Sequence, residues 1–334
     1  MFLACGLVGC SSDSSEPADI NPTMTHTFEP LSVGVGEEVT DVCQSWNLDN
    51  DEPIYVSKVR QRNGGAWHHS NWYFVPETAY PGSDGTWSCD EREFGDVASA
   101  LQGGVFFAQS TQTLEELQAF QDGAVLEIPP RHKIVGGVHL VNISAAPLET
   151  SLSFDIETVP EEDVEIRLRP ISFTNTALDI EPQAESRFRM TCDLGDRFEG
   201  VLGTEADYNI YYVLAHYHEW GNYFRLSFVD EDESERTIFE LQNGVGEPLG
   251  TTIDPPISSE GAPKLRVECG YLNDTDRRLK YGLGGQEMCV FLAYTDADLI
   301  IGAASGLNEP KGRDPDGIYM NETSCGAVLA VPAR

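Results

Sequence analysis

Apolar positions in this chain fall in short runs rich in β-branched and aromatic residues, with Gly, Pro, Asn and Asp between them. Such runs are typical of β-strands, because branched and aromatic side chains pack well on a pleated surface and the intervening residues form turns. The runs cover residues 54–60, 104–109, 134–144, 151–157, 210–218, 223–229, 265–271 and 289–295. Many short strands separated by turn residues predict an all-β protein built from antiparallel β-sandwiches.

One segment has a different periodicity. In residues 110–121 the apolar side chains Leu114, Leu117 and Phe120 recur at a spacing of three residues, which favours a helix over a strand. We therefore predict that this segment forms the single helix of an otherwise all-β chain.

The chain divides into parts of different composition. The apolar run before Cys10 resembles a bacterial lipoprotein signal, in which this cysteine is lipidated and holds the mature protein to the cell envelope. A break in the strand pattern near residues 170–185 indicates a domain boundary. In chain order we predict a lipoprotein signal at 1–10, a flexible tether at 11–25, an N-terminal β-sandwich at 26–172 and a C-terminal β-sandwich at 173–334.

Charge and cysteine content narrow the class of protein further. The 334-residue chain has a formal net charge of −34, and so acidic a surface repels nucleic acid and anionic membranes. Neither is expected as a partner, apart from a membrane contact through the lipid on Cys10. Six cysteines remain when Cys5 and Cys10 are set aside, which is typical of three disulfides in an exported protein. These considerations alone do not fix which cysteines pair.

Five of the seven histidines lie in or beside apolar strands rather than in loops. His216 and His218 are two residues apart, so on a strand their side chains share a face and could form half of a metal site. His68 and His69 are adjacent, so both could bind one ion only at a bulge or a strand end. His139 stands alone on an apolar strand. Taken singly, each is better explained as an ordinary core or surface histidine.

Met288 is the one further side chain that fits a metal site. It directly precedes Cys289, and Cys269 lies one strand earlier, so a disulfide between these cysteines would hold Met288 in place. A thioether is a soft ligand that suits Cu(I) and is of little use to zinc or magnesium. The alternative is that Met288 simply fills space in the core, which is the usual role of a lone methionine.

From about Cys43 to Cys325 the sequence resembles the copper type II, ascorbate-dependent monooxygenases, the family of peptidylglycine α-hydroxylating monooxygenase and dopamine β-monooxygenase. The resemblance rests on several separated motifs that occur in the right order rather than on any single one. These motifs are His68-His69, Val138-His139, His216-Tyr217-His218-Glu219-Trp220-Gly221 and Glu287-Met288-Cys289.

The resemblance implies two antiparallel β-sandwiches that face each other across a cleft and carry one copper ion each. The first domain would hold the electron-transfer copper, and the second the copper at which oxygen and substrate react. The implied ligands are His68, His69 and His139 for the first ion, and His216, His218 and Met288 for the second. The implied disulfides are Cys43–Cys89, Cys192–Cys325 and Cys269–Cys289.

The implied reaction is hydroxylation of a C–H bond of a small organic substrate with O2 and ascorbate or a similar one-electron donor. The peptide-amidating branch grips the substrate carboxylate with an Arg and positions the substrate with an Asn and a Tyr, where this chain has Leu214, Val290 and Leu292. The Gln of that branch two residues before the strand histidine is Gly137 here. A peptidylglycine substrate is therefore not expected, since its carboxylate would find no charged partner at Leu214.

Two other interpretations remain open at this point. The chain could be a copper-binding lipoprotein of the same fold without catalysis, although all six ligand positions are filled. A zinc hydrolase fits less well, because Met288 is the wrong ligand for zinc. We expect a monomer exported to the cell envelope.

Overall fold

The structure is a computed structural model that describes residues 20–242, 244–282 and 285–330. The predicted lipoprotein signal and Cys10 lie outside these ranges. The strands of the N-terminal part are β1 (Met24–Thr27), β2 (Leu31–Val33), β3 (Glu38–Asn47), β4 (Ile54–Asn63), β5 (Trp67–Pro76), β6 (Gly85–Trp87), β7 (Gly104–Ala108), β8 (Glu115–Ala119), β9 (Ala124–Ile128), β10 (His132–Val141), β11 (Leu148–Thr150) and β12 (Leu152–Val159).

The strands that follow are β13 (Ile166–Thr174), β14 (Asp179–Ile180), β15 (Ala184–Asp193), β16 (Asn209–His216), β17 (Gly221–Val229), β18 (Glu235–Leu241), β19 (Gly250–Ser258), β20 (Lys264–Asn273), β21 (Leu279–Lys280), β22 (Val290–Thr295), β23 (Ile300–Arg313) and β24 (Tyr319–Ala330). The described helices are short: α1 (Asp96–Gln102), α2 (Gly195–Leu202) and single 3₁₀ turns at Asp90–Arg92 and Glu161–Asp163. Within the described ranges the longest helix has eight residues, too few to cross a bilayer.

The strands form two packed layers in each part of the chain. In the N-terminal part, the five-stranded sheet β6-β3-β10-β5-β7 packs on the strands β1-β12-β4-β9, with β8 beside β4. The second layer continues into the C-terminal part through β13, which pairs with β9 and also with β22 and β23. Most neighbouring strands are antiparallel. The all-β sandwich prediction is confirmed, and each of the eight predicted strand segments overlaps a strand.

Two clusters of buried side chains form the cores of the two parts. The cluster of the N-terminal part also includes five residues of β16 and β22, so the outer face of these strands packs against the N-terminal core. These residues are Tyr211, Tyr212, Leu214, Leu292 and Tyr294. The predicted domain boundary at 172/173 falls inside β13, which belongs to both parts.

The three disulfides are those that the resemblance implies: Cys43–Cys89, Cys192–Cys325 and Cys269–Cys289. Each closed loop stabilises the fold by roughly 2–4 kcal/mol. Three disulfides are typical of a protein that folds outside the cytoplasm, in agreement with an exported protein.

The helix predicted for residues 110–121 is wrong, because part of this segment is strand β8, which pairs with β4. Burial alternates along it, with Glu116, Gln118 and Phe120 inside and Leu114 62% exposed. The inward face carries two polar residues, so the apolar pattern alone indicated the wrong period.

The predicted tether also ends earlier than expected. Ile20 is buried, and residues 24–27 form β1, the edge strand that pairs with β12. His26, the first residue of the predicted N-terminal sandwich, stacks on Trp46 with ring centroids 4.3 Å apart. Pairing with β12 and this aromatic contact hold the segment to the N-terminal sandwich.

Candidate metal centre

The N-terminal histidines are brought together by a β-bulge between β5 and β10. His139 lies opposite His69, but the next residue, Leu140, lies opposite Trp67, so His68 is the extra residue of the bulge. The ring centroids of His68 and His69 are 5.6 Å apart, and those of His139 lie 4.8 and 5.0 Å from them. The bulge thus allows two adjacent histidines to face one point, as their joint metal binding requires.

The C-terminal histidines stand at the end of β16, where His216 lies opposite Val290 of β22. His218 follows just beyond the strand, and the two imidazole centroids are 5.4 Å apart. Tyr217 between them is buried against Gly221, where a Cβ atom would lie 1.9 Å from the tyrosine ring. The glycine of the HxHxxG motif is therefore needed to make room for this ring.

A buried carboxyl group orders the backbone around His218. Glu287 accepts hydrogen bonds from the backbone N–H groups of His218, Trp220 and Met288, at 2.8, 2.7 and 3.2 Å. Burial raises its pKa to about 8, despite these donors. Glu287 was part of the motif seen in the sequence, but this role became visible only in the structure.

Met288 therefore has its backbone beside that of His218, since both N–H groups donate to the same Oε2 atom of Glu287. The Tyr271 hydroxyl donates to the Met288 carbonyl at 2.6 Å, and the Cys269–Cys289 disulfide fixes the following residue. These contacts set the position of the Met288 backbone. Its role as a metal ligand stays a prediction.

The two groups of histidines meet. The centroid of the His68 ring is 4.9 Å from that of His218, and the centroid of His69 is 5.0 Å from His216 and 5.4 Å from His218. Where the resemblance implies two ligand sets on either side of a cleft, the structure has one five-histidine cluster. The ligand atoms of His69, His216 and His218 lie within 4.8 Å of one another, so this triad draws on both groups.

Each ring of the cluster has at least one buried nitrogen without a hydrogen-bond partner. These atoms are His68 Nε2, His69 Nδ1 and Nε2, His139 Nδ1, His216 Nδ1 and His218 Nε2. A buried polar atom that lacks a partner destabilises the fold by about 1–3 kcal/mol, so such atoms are rare unless a ligand satisfies them. Bound metal ions would satisfy one such nitrogen on each of the five rings.

The opposite nitrogens of four rings are held by neighbouring groups. His139 Nε2 lies 2.9 Å from a carboxylate oxygen of Glu38, and His68 Nδ1 lies 3.4 Å from the side-chain amide of Gln112. The Nδ1 atom of His218 donates to the Gln286 carbonyl at 3.0 Å, and the His216 ring donates to the carbonyl of Gln109. The oxygen acceptors beside His139, His216 and His218 keep the ring proton on the nitrogen they contact and leave the other nitrogen free for a metal ion.

The five rings are neutral at pH 7. Burial lowers the pKa of His68 to about 3 and that of His218 to about 4. It also lowers the pKa values of His69, His139 and His216, and the neighbouring imidazoles add to the effect for His69 and His216. Neutral imidazole is the form that binds metal ions, so the cluster needs no proton loss to accept them.

The positions that differ from the peptide-amidating branch lie where apolar packing requires apolar side chains. Leu214 and Leu292 are opposite each other on β16 and β22, and both are buried in the N-terminal core cluster. A Cβ atom on Gly137 would lie 2.9 Å from the ring of Phe94. A charged clamp for a carboxylate therefore does not fit at Leu214.

The remaining histidine, His132, lies at the start of β10, where its Nδ1 is 2.8 Å from the Pro130 carbonyl. It belongs to no group of histidines in the described chain.

No protein-family model matches this sequence, and no curated protein matches it. Solved structures match this chain only at low similarity. A Parabacteroides distasonis protein described as secreted is 10% identical, with a TM-score of 0.22 over 82% of this chain and 88% of its own. The PBSX exported protein XepA is 8% identical, with a TM-score of 0.23 over 83% and 89%. PNGase F, a glycosylasparaginase of Flavobacterium meningosepticum, is 11% identical, with a TM-score of 0.31 over 81% and 96%. These scores identify neither a family nor a function.

Proposed function

We propose that this protein is a copper-dependent monooxygenase that hydroxylates a C–H bond of a small organic substrate with O2 and an ascorbate-type reductant. The observation that carries the proposal is the cluster of five buried, neutral imidazoles, each with a nitrogen that lacks a partner. The ordered set of sequence motifs supports the choice of reaction.

The donor set favours copper over other metals. Imidazole suits copper, zinc, iron and nickel, whereas a thioether selects Cu(I) among the common ions. Glu287 holds the Met288 backbone next to that of His218, so a methionine ligand in the C-terminal group is compatible with the fold. Catalytic zinc sites prefer His, Cys and carboxylate ligands, so a zinc site would not explain Met288.

In this proposal His68, His69 and His139 hold the electron-transfer copper, and His216, His218 and Met288 hold the copper of the reaction site. The bound ions would supply the one-electron and O2 chemistry. The protein keeps the five rings neutral by burial, orients four of them through outer hydrogen bonds and limits the access of water.

The substrate is proposed to be small and less polar than a peptide carboxylate. Leu214 and Leu292, which stand at two substrate-gripping positions of the amidating branch, are buried and apolar here. A carboxylate at that place would lose its hydration without gaining a charged partner.

A copper-binding protein without hydroxylase activity is the second candidate. The triad of His69, His216 and His218 favours it, because one ion held there would tie the N-terminal and C-terminal groups together. Such an ion could serve storage or stability instead of catalysis.

We further propose that the exported protein is anchored through a lipid on Cys10 and acts as a monomer. The protein with Cys10 would partition with membranes, and a Cys10→Ser variant would be released in soluble form. Equal release of both forms would contradict the anchor.

The proposed function is tested by metal content and coupled turnover. Purified protein that lacks residues 1–19 is loaded with copper in the presence of competing zinc, desalted and assayed for oxygen uptake with ascorbate and uncharged aromatic substrates. About two copper ions per chain and hydroxylated product in proportion to oxygen support the monooxygenase. Copper without product supports the second candidate, and retention of one ion or none contradicts the two-site assignment.

A further inference from the structure

The segment Gln109–Thr113, here named the bridging segment, joins β7 to β8 and contacts both groups of histidines. Its Gln112 side-chain amide is 3.4 Å from His68 Nδ1, and the Gln112 N–H donates to the His68 carbonyl at 2.8 Å. The Thr111 hydroxyl donates at 2.6 Å to the carbonyl of Tyr217, which lies between the two C-terminal histidines. One short segment of the N-terminal part therefore contacts His68 in one group and the residue between His216 and His218 in the other.

The first peptide unit of this segment connects a histidine ring to a buried carboxyl group. The His216 ring donates to the carbonyl of Gln109, which leaves His216 Nδ1 as its free nitrogen. At the other end of the same peptide unit, the N–H of Ser110 donates to Glu116 Oε2 at 2.6 Å. Hydrogen bonds in such a chain polarise one another, so the carboxyl group strengthens the hold of the carbonyl on the ring.

Glu116 is placed to anchor the whole segment. It is 1% exposed and also accepts hydrogen bonds from the hydroxyl groups of Ser110, at 2.6 Å, and Thr113, at 3.3 Å. The Ser110 hydroxyl in turn accepts from the Leu249 N–H at 2.9 Å, which ties the segment to the C-terminal part. Gln112 has a φ of 61°, a left-handed conformation that is uncommon for a residue other than glycine and has to be held by its surroundings.

We infer that Glu116 is a positioning residue of the metal centre that acts through the bridging segment on His216 and His68. It contacts neither ring itself, and it would bind neither metal nor substrate. The inference rests on the proposed function only in taking these histidines as copper ligands. Its effect is to fix the ring nitrogen that His216 presents and to hold the two groups at their present separation.

The test compares Glu116→Gln with the matched control Glu115→Gln. Glu115 is the neighbouring residue on β8, but it is exposed and pairs with Arg60 and Arg62 at the surface. A glutamine at position 116 keeps the size of the side chain, yet its NH2 group would face the donors of Ser110 and disturb the segment. Nuclear magnetic resonance of the ring nitrogens in metal-free protein reports which nitrogen of His216 carries the proton.

We expect Glu116→Gln to mix the two tautomers of His216 and to weaken binding of one copper ion by about 10–100-fold, as removal of outer partners does elsewhere. Glu115→Gln leaves both readouts at their wild-type values. Wild-type tautomer and copper affinity in a Glu116→Gln protein that has merely become less stable would overturn the inference, since Glu116 would then serve packing alone.

Thr111→Val provides a second variant if Glu116→Gln does not fold. It removes only the hydrogen bond to the Tyr217 carbonyl, and we expect a smaller loss of copper affinity in the same direction. Unchanged affinity in Thr111→Val would count against the inference. Wild-type protein that binds no copper would contradict the proposed function, whereas the His216 tautomer in metal-free protein still decides the role of Glu116.

Discussion

The two groups of histidines are held by different kinds of outer partner. In the N-terminal group, side chains hold the rings: the Glu38 carboxylate binds His139, and the Gln112 amide lies against His68. In the C-terminal group, backbone carbonyls take this role, from Gln286 for His218 and from Gln109 for His216.

This difference determines whether a single substitution can remove the outer hydrogen-bond partner of a histidine in each group. A backbone carbonyl is fixed by strand register and local turns, so a point mutation alters it only indirectly, as proposed for Glu116. A side-chain partner is removed by one substitution that leaves the backbone in place. Each group can therefore be perturbed separately, and the metal it holds should respond separately.

The largest effect is expected at Met288, which belongs to the C-terminal group alone. Met288→Ile removes the soft ligand but keeps an apolar side chain of similar size, so turnover should fall more than the roughly 10–100-fold typical of outer partners. The unfolding midpoint should stay close to the wild-type value. Met320→Ile, at a half-buried methionine on β24, is the matched control. Unimpaired hydroxylation in Met288→Ile would rule out this residue as a ligand.

Substitution of His69 tests whether the two groups of histidines bind their copper ions independently. Its ring centroid is 5.0 Å from that of His139 in one group and 5.0 Å from that of His216 in the other. We expect His69→Ala to retain at most one copper ion per chain and to bind it more weakly. His132→Ala, outside the cluster, should retain the wild-type metal content. If His69→Ala lost one ion and held the other with full affinity, the groups would be independent.

Much of this arrangement could be predicted from the sequence, because the signals are local. The HxHxxG motif runs from the end of β16 to the start of β17, and Gly221 leaves room for the Tyr217 ring that packs on it. Strand geometry alone required a bulge or a strand end if His68 and His69 are to bind one ion, and the structure has a bulge there.

The features of the site that could not be predicted depend on strand register and on buried polar residues. Glu38 reaches His139 because β3 pairs with β10 so that Glu38 lies opposite Val141. Nothing in the sequence near His139 reveals this pairing. The role of Glu116 could not be predicted, because the apolar spacing of its segment indicated a helix. A buried glutamate also needs hydrogen-bond donors, and these are identified only in the folded chain.

The pH dependence of the metal-free fold tests the histidines of both groups together. Their pKa values in the folded protein lie below 6.5, so as the pH falls the unfolded chain binds protons first and stability is lost below about pH 6.5. Glu116 and Glu287 oppose this, because their pKa values are raised to about 7 and about 8 and the folded protein binds those protons first.

The histidines are the larger set, and we expect the unfolding free energy of the metal-free protein to fall between pH 7 and 5.5. Urea titrations of metal-free protein at the two pH values give this difference. His68→Asn should reduce it and His132→Asn should not. A fold as stable at pH 5.5 as at pH 7 would show that the cluster rings are protonated without penalty.

The smallest effect is expected at Glu38, which acts on the N-terminal group alone. Its carboxylate lies 2.9 Å from His139 Nε2 and leaves Nδ1 free to face the cluster, an arrangement that makes the imidazole a stronger donor to a metal ion. Glu38→Gln keeps a group of the same size but removes the charge. Affinity for one copper ion should fall by about tenfold, at the low end for outer partners, and the reduction potential of that ion should rise because Cu(II) loses more stabilisation than Cu(I).

The control is Glu37→Gln, since Glu37 is the preceding residue and its carboxylate binds the Gly34 N–H at the surface instead of a histidine. Electron paramagnetic resonance during titration with a reductant follows the two ions separately. A shift confined to one ion in Glu38→Gln and absent in Glu37→Gln would support distinct control of the two groups. Equal shifts in the reduction potentials of both ions would mean that the five histidines behave as a single centre, because a change at His139 would then also alter the ion bound by His216 and His218.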